Sequence, residues 1–137
     1  MAKITWSESF SVGHEDIDNQ HKQWIEIYNE SYDKMMGNDY SVLSSIGIDA
    51  LKRMQTYAQM HFGFEEKYLE QINYPDLAQH KRLHEIFEFQ LDRINKEFAE
   101  GTPRLNSEIM KTIENWLVGH IQQEDQKYNT FRKNSCV

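Results

Sequence analysis

Leu77, His80, His84, Phe87, Leu91, Ile94 and Phe98 follow one another at alternating steps of three and four residues. That spacing marks one face of an α-helix and excludes a strand, whose faces alternate every second residue. Three further stretches carry the same period. Ile17, His21, Trp24, Ile25, Tyr28 and Tyr32 form one stripe, and Ile46, Ala50, Met54, Tyr57, His61, Phe64 and Tyr68 form another. Ile109, Ile113, Trp116, His120 and Tyr128 form the last. No segment alternates with period two for long enough to make a strand, so the chain is expected to be all-α.

Breakers separate the stripes. Gly37-Asn38 reads as a helix C-cap, with Ser41 placed to cap the next helix. Asn73-Tyr74-Pro75-Asp76 reads as a turn with Pro75 near the first position of a helix. Gly101-Thr102-Pro103 ends one helix and leads to another, with Asn106 as its candidate cap. The resulting helices run over about 18–37, 41–71, 75–100 and 106–130. Four long helices with short connections favour an antiparallel up-down-up-down four-helix bundle. The first residues, about 1–16, carry Ile4, Trp6 and Phe10 and are expected to pack across the bundle as an arm. At 137 residues, residues 1–137 are expected to form a single domain with a core large enough to need no disulfide.

Composition narrows the function classes. The one cysteine, Cys136, reads as an exposed tail thiol and fits a reducing compartment. No run is apolar for long enough to cross a bilayer, and the start shows no cleavage-site pattern, so a cytoplasmic protein is expected. A net charge of −7 without a basic patch argues against nucleic acid and anionic membranes as partners.

The chemistry lies in what interrupts the apolar stripes. Five of the six histidines, His21, His61, His80, His84 and His120, occupy inward positions. Glu65 lies four residues after His61 and shares its face. Asp125 follows His120 by five, which turns about 140° around an ideal helix. Glu124 has the better spacing, and Asp125 can join the set only from another angle or through a local distortion of the helix. Glu66 and Glu124, beside the two carboxylates, are expected to be solvated. Each histidine alone is more often a hydrogen-bonded core residue than a ligand, and His80/His84 lacks the glutamate of the helical zinc-protease motif. Together they offer more nitrogen and oxygen donors than one metal ion can use. A buried carboxylate needs such a partner, because leaving it unpaired costs several kcal/mol.

Two six-coordinate ions offer twelve positions. Five histidines, two bridging carboxylates and one bridging oxo or hydroxo group leave one vacant, suited to a small ligand such as dioxygen. Oxygen-activating di-iron bundles use four carboxylates and paired Glu-x-x-His motifs; no Glu-x-x-His occurs in this chain. Neutral imidazoles stabilise high oxidation states less, which favours reversible binding over oxidation of a substrate.

Val12-Gly13, Ile17-Asp18-Asn19-Gln20-His21-Lys22, His61-Phe62-Gly63-Phe64-Glu65-Glu66, His80-Lys81-Arg82-Leu83-His84 and Trp116-Leu117-Val118-Gly119-His120-Ile121 through Asp125 together resemble the bacterial hemerythrins, from Trp6 to Tyr128. These are single-domain, non-haem di-iron oxygen-binding proteins. The resemblance implies two iron ions in an oxo- or hydroxo-bridged centre and dioxygen as the partner. It implies His80, His84 and His120 on the coordinatively full iron, His21 and His61 on the other, and Glu65 and Asp125 as bridges. Trp24, Phe62, Trp116 and Leu117 then fall where they can line an apolar oxygen pocket that excludes water and anions. Tyr128 could hydrogen-bond near the centre or simply pack. His14, outside the set, is expected at the surface or behind the ligands. Gly63 and Gly119 sit inside helices, for which a close helix approach near the metals is one reason.

The leading expectation is reversible dioxygen binding for storage, delivery or buffering, not an enzyme. Three alternatives are a sensing module of a larger signalling protein, a di-iron enzyme acting on peroxide or nitric oxide, and a metal-free interaction bundle. A chain that stops soon after the fourth helix weakens the sensor reading.

Overall fold

The computed structural model describes residues 3–36, 45–100 and 106–135. A single 3-10 turn, Glu8–Phe10, precedes α1 (Glu15–Met36), α2 (Ser45–Gln71), α3 (Leu77–Ala99) and α4 (Asn106–Gly119). A π-helical turn, His120–Glu124, then joins α4 to α5 (Asp125–Ser135). There is no strand among the described residues.

Side-chain contacts fix the directions of the helices. Arg53 on α2 meets Glu30 on α1 at 2.6 Å, while His61 meets Gln20 at 2.7 Å, so α1 and α2 run antiparallel. Gln55 bonds Asp92 and His84 bonds Glu66, which sets α3 antiparallel to α2. The Tyr28 hydroxyl donates to the carbonyl of Met110 near the start of α4, while Trp24, earlier on α1, meets Trp116, later on α4, so these two helices also run antiparallel. Phe87 stacks on Trp116 at 4.2 Å, closing the ring of four between α3 and α4. The result is the expected up-down-up-down bundle.

Helix boundaries follow local chemistry. α1 starts at Glu15, ahead of the expected position, because the His14 ring caps it: Nδ1 accepts from the Ile17 N–H at 3.3 Å. Asp18 turns back instead, accepting from the Val12 N–H at 2.8 Å and the Ser11 hydroxyl at 2.6 Å. α2 ends in a Schellman motif, with Asn73 at φ 57° and paired bonds from Tyr74 N to Leu69 O and from Asn73 N to Glu70 O. Pro75 lies in the following turn, just before α3 rather than within its first position. The expected caps at Gly37-Asn38, Ser41 and Gly101-Thr102-Pro103 lie outside the described residues, as do the Asn106 side chain and Cys136. So do the side chains of Ile46 and Phe98.

The apolar stripes build two cores. Trp24, Met54, Phe62, Phe87, Leu91, Ile113 and Leu117 belong to the larger, which also buries Ile4 and Phe10. Ile4 is held by a two-way exchange with the Asn29 amide, at 2.9 and 2.8 Å. Val12, Ile17, Leu69, Tyr74 and Tyr128 form the smaller. Two expectations are corrected. Phe64 is 38% exposed, because the buried face of α2 passes through Ala58, Phe62, Glu65 and Leu69 instead. Gly63 and Gly119 are not sites of close helix approach, since a Cβ at either would meet nothing within 4 Å.

Candidate metal centre

Between the two cores lies a closed polar cluster. Trp24, Phe62 and Trp116 of the larger core touch His61, His84 and His120, while Tyr74 and Tyr128 of the smaller touch His80 and Glu65. His21, His61, Glu65, His80, His84, His120 and Asp125 are all buried there, none more than 4% exposed. The structure thus brings together all seven residues singled out in the sequence. Glu65, His80, His84 and His120 form one group of converging donor atoms, and His21, His61 and Glu65 form a second. Glu65 belongs to both.

Asp125 joins them through the π turn. In that turn the Asp125 N–H bonds the His120 carbonyl, an i→i+5 link, so residues five apart come to one side. Asp125 Oδ1 lies 3.1 Å from Nε2 of both His80 and His120, and Oδ2 lies 3.2 Å from Nε2 of His21. Glu124 instead pairs with Lys127 at 3.0 Å near the surface.

Two rings are oriented from behind. The Nδ1–H of His61 donates to Gln20 Oε1 at 2.7 Å, and the Nδ1–H of His84 donates to Glu66 Oε2 at 2.8 Å. In the neutral rings this leaves both Nε2 atoms as bare lone pairs aimed into the cluster. Glu66 is therefore not merely solvated, as its place beside Glu65 suggested, and Gln20 was not anticipated. A polar residue next to each ligand segment was the available signal, but its target lies on a neighbouring helix. Tyr128 is more than packing: its hydroxyl donates to Glu65 Oε2 at 3.0 Å. His14 is half-buried against Tyr68 and forms no contact with the cluster among the described residues.

The donor set fits cations better than it fits itself. His84 Nε2 faces Glu65 Oε1 at 3.0 Å and His120 Nε2 at 3.1 Å, while His61 Nε2 faces His21 Nε2 at 3.0 Å. Both oxygens of Asp125, close to three imidazoles, are buried without an aligned hydrogen bond. Acceptors facing acceptors in a buried site repel unless something positive stands among them.

Without metal, protons take that role. Burial lowers the pKa of His21, but Asp125 and Glu65 outweigh it and push it up to about 9. Burial is outweighed in the same way at His80, raised to about 10, and at His120, also raised. At His61 burial wins and the pKa falls. Burial alone would raise the carboxyls of Glu65 and Asp125. The surrounding histidines, His120 first, hold both well below the usual carboxylate range. Burial, then the charges of Glu65 and Asp125, push the Tyr128 phenol well above its ordinary value, so it remains a donor.

The four aromatic and aliphatic residues expected beside the cluster are also there. Phe62 stacks on His84 with centroids 3.8 Å apart, and Trp116 stacks on His120 at 4.3 Å. Trp24 lies 5.3 Å from His61, and Leu117 is fully buried in the same core. No described helix is long and apolar enough to cross a membrane.

This arrangement can be set beside known proteins. The chain is 30% identical over 126 residues to a bacteriohemerythrin of Clostridium acetobutylicum, covering 91% of this chain and 98% of the relative. It is 28% identical over 128 residues to that of Pseudomonas aeruginosa strain PAO1, covering 93% and 80%. A crystal structure of wild-type hemerythrin superposes with a TM-score of 0.82 at 26% identity, over 93% of this chain and 95% of that one. Residues 12–131 match the hemerythrin HHE cation binding domain. With that match spanning the whole histidine–carboxylate cluster, the chain belongs to the hemerythrin family.

Proposed function

We propose that this chain holds two iron ions and binds dioxygen reversibly, for storage, delivery or buffering. The observation that carries the reading is the set of buried donor atoms facing one another without protons of their own, above all the Asp125 oxygens and the Nε2 atoms of His61 and His84. His80, His84 and His120 would hold one ion and His21 and His61 the other, with Glu65 and Asp125 shared. Membership of both carboxylates in two sets of close contacts supports the sharing. An iron pair supplies two electrons that dioxygen can take up and give back.

The protein's own part is positioning and exclusion. Gln20 and Glu66 fix the ring orientation of His61 and His84, and partners of this kind raise ligand basicity. Tyr128 holds one oxygen of Glu65, leaving the other free to face His80 and His84. Trp24, Phe62, Trp116 and Leu117 form an apolar wall against the histidines, which keeps out water and anions that promote irreversible oxidation. Five imidazoles to two carboxylates favour binding over substrate oxidation.

The test is iron content together with visible spectra of anaerobically reduced protein through cycles of oxygen and vacuum. Two irons per chain, with a charge-transfer band that appears with oxygen and fades on its removal, is the expected result. Oxygen taken up once and not returned refutes reversible binding. Loss of two-iron loading in His80→Ala tests the ligand set, which retention of both irons with normal oxygen binding would overturn.

A further inference from the structure

The outer face of α3 carries a pattern that the metal centre does not use. Phe89 is 67% exposed and Ile86 45% exposed, the first being the most exposed large apolar side chain described. With Arg82, Glu85, Gln90 and Arg93 they line one shallow surface groove. Single exposed apolar residues are ordinary. The charges around these two are not arranged at random. Glu85 lies four residues before Phe89 and Arg93 four residues after it, so all three share one stripe of the helix.

We propose that this face of α3 pairs with the same face of a second copy of the chain. A two-fold axis crossing α3 at Phe89 runs the two helices antiparallel and brings the two Phe89 rings together. Because Glu85 and Arg93 are equidistant from Phe89, the axis sets Glu85 of each copy opposite Arg93 of the other, twice. Self-complementarity of this kind is the condition for a closed two-fold interface. Both charges are available for it. Glu85 has no ion pair among the described residues, and the Arg93 side chain, 71% exposed, makes only a 3.5 Å contact with Glu97. Exposed pairs of that kind contribute little, so exchange of Glu97 for Glu85 of the second copy costs little. Ile86, one turn from Phe89, adds apolar area to the centre.

One helix pair buries less than the roughly 1,200–2,000 Å² of a stable interface, so the dimer is weak and reversible. The net charge of −7 opposes it at low ionic strength. At physiological salt a Debye length of about 8 Å screens that distant repulsion more than it screens the contact pairs.

Sedimentation velocity of the iron-loaded chain tests this, from about 10 μM to about 1 mM, the range in which interfaces this small associate. The mass should rise from the 16.4 kDa monomer towards twice that value. Phe89→Lys should stay monomeric throughout. Glu85→Arg and Arg93→Glu should each stay monomeric alone, yet pair when mixed one to one, and the double exchange should restore the dimer. Wild-type protein that remains monomeric at every concentration overturns the proposal. So does a Glu85→Arg chain that dimerises as well as wild type, which would place the contact elsewhere. All three side chains are exposed, on the face of α3 turned away from the buried histidines, and helical circular dichroism with iron content checks that each variant folds and loads.

Discussion

Replacing Tyr128 with phenylalanine removes one oxygen atom and nothing else. The ring remains packed between Tyr68, Tyr74 and His80, with centroids 6.0, 6.2 and 5.7 Å away. The loss falls on Glu65 Oε2. Its other neighbours are His61 Nε2 at 3.5 Å and His21 Nε2 at 3.6 Å, both too long to replace the 3.0 Å bond from Tyr128. A fully buried carboxylate oxygen is therefore left without a short donor, and a hydrogen bond to a charged group contributes about 1.5–3 kcal/mol. With a urea slope of about 1.5 kcal/mol per M, the unfolding midpoint of chelator-treated protein should fall by about 1–2 M. Tyr57→Phe is the control: its hydroxyl meets the neutral Gln20 carbonyl at 2.9 Å in a half-buried place, and should cost about 0.5–1.5 kcal/mol. In iron-loaded protein a cation beside Glu65 offsets the lost donor, so the penalty of Tyr128→Phe should shrink. A metal-free midpoint within about 0.3 M of wild type would refute the assignment of a charge-bearing hydrogen bond, since that shift corresponds to about 0.5 kcal/mol.

Two further outcomes follow from the same cluster. His21 and His80, raised to about 9 and about 10, contribute stability that is complete below their unfolded value of about 6.5 and lost as pH climbs through the folded values. Glu65 and Asp125, lowered, contribute stability present above about 4 and lost on acidification. Metal-free protein should thus melt highest between about pH 4.5 and 6.5; a melting temperature that climbs from pH 7 to 10 would contradict this. Glu66→Ala, which frees His84 Nδ1, should weaken metal binding about 10–100-fold with helix content unchanged, and equal affinity by competition with a chelator would remove Glu66 from any orienting role.

How much of this could be read from the sequence depends on what periodicity measures. It registers which side chains leave water, so the α3 stripe, the five inward histidines and Glu65 are legible from spacing, whereas Asp125 reaches them only through the π turn. It does not register partners. Glu66 and Gln20 occupy positions that look like solvated faces of their own helices, and each serves a ring on another helix. Nor does it see an imidazole used as a cap, which is why α1 begins before the stripe does. Phe64 reads as inward because it continues a heptad drawn through Tyr57 and His61, whereas α2 turns Glu65 and Leu69 to the interior.

The five-residue gap between His120 and Asp125 was the one place where sequence and an ideal helix disagreed, and the π turn lies there. Its effect is best seen by winding residues 120–124 as ordinary α-helix instead. Everything after the turn then rotates by about 100°, the angle of one residue. Glu124 takes the inward place of Asp125, and Lys127 takes that of Tyr128. A primary ammonium would then face His80 and Glu65 in a buried site, where the donors must remain unprotonated to bind a cation. The extra residue in the turn sends Glu124 and Lys127 out together as a surface pair and turns Asp125, Tyr128 and Asn129 in. One residue of helical register thus decides both which acid reaches the histidines and whether a tyrosine hydroxyl or a lysine stands behind Glu65.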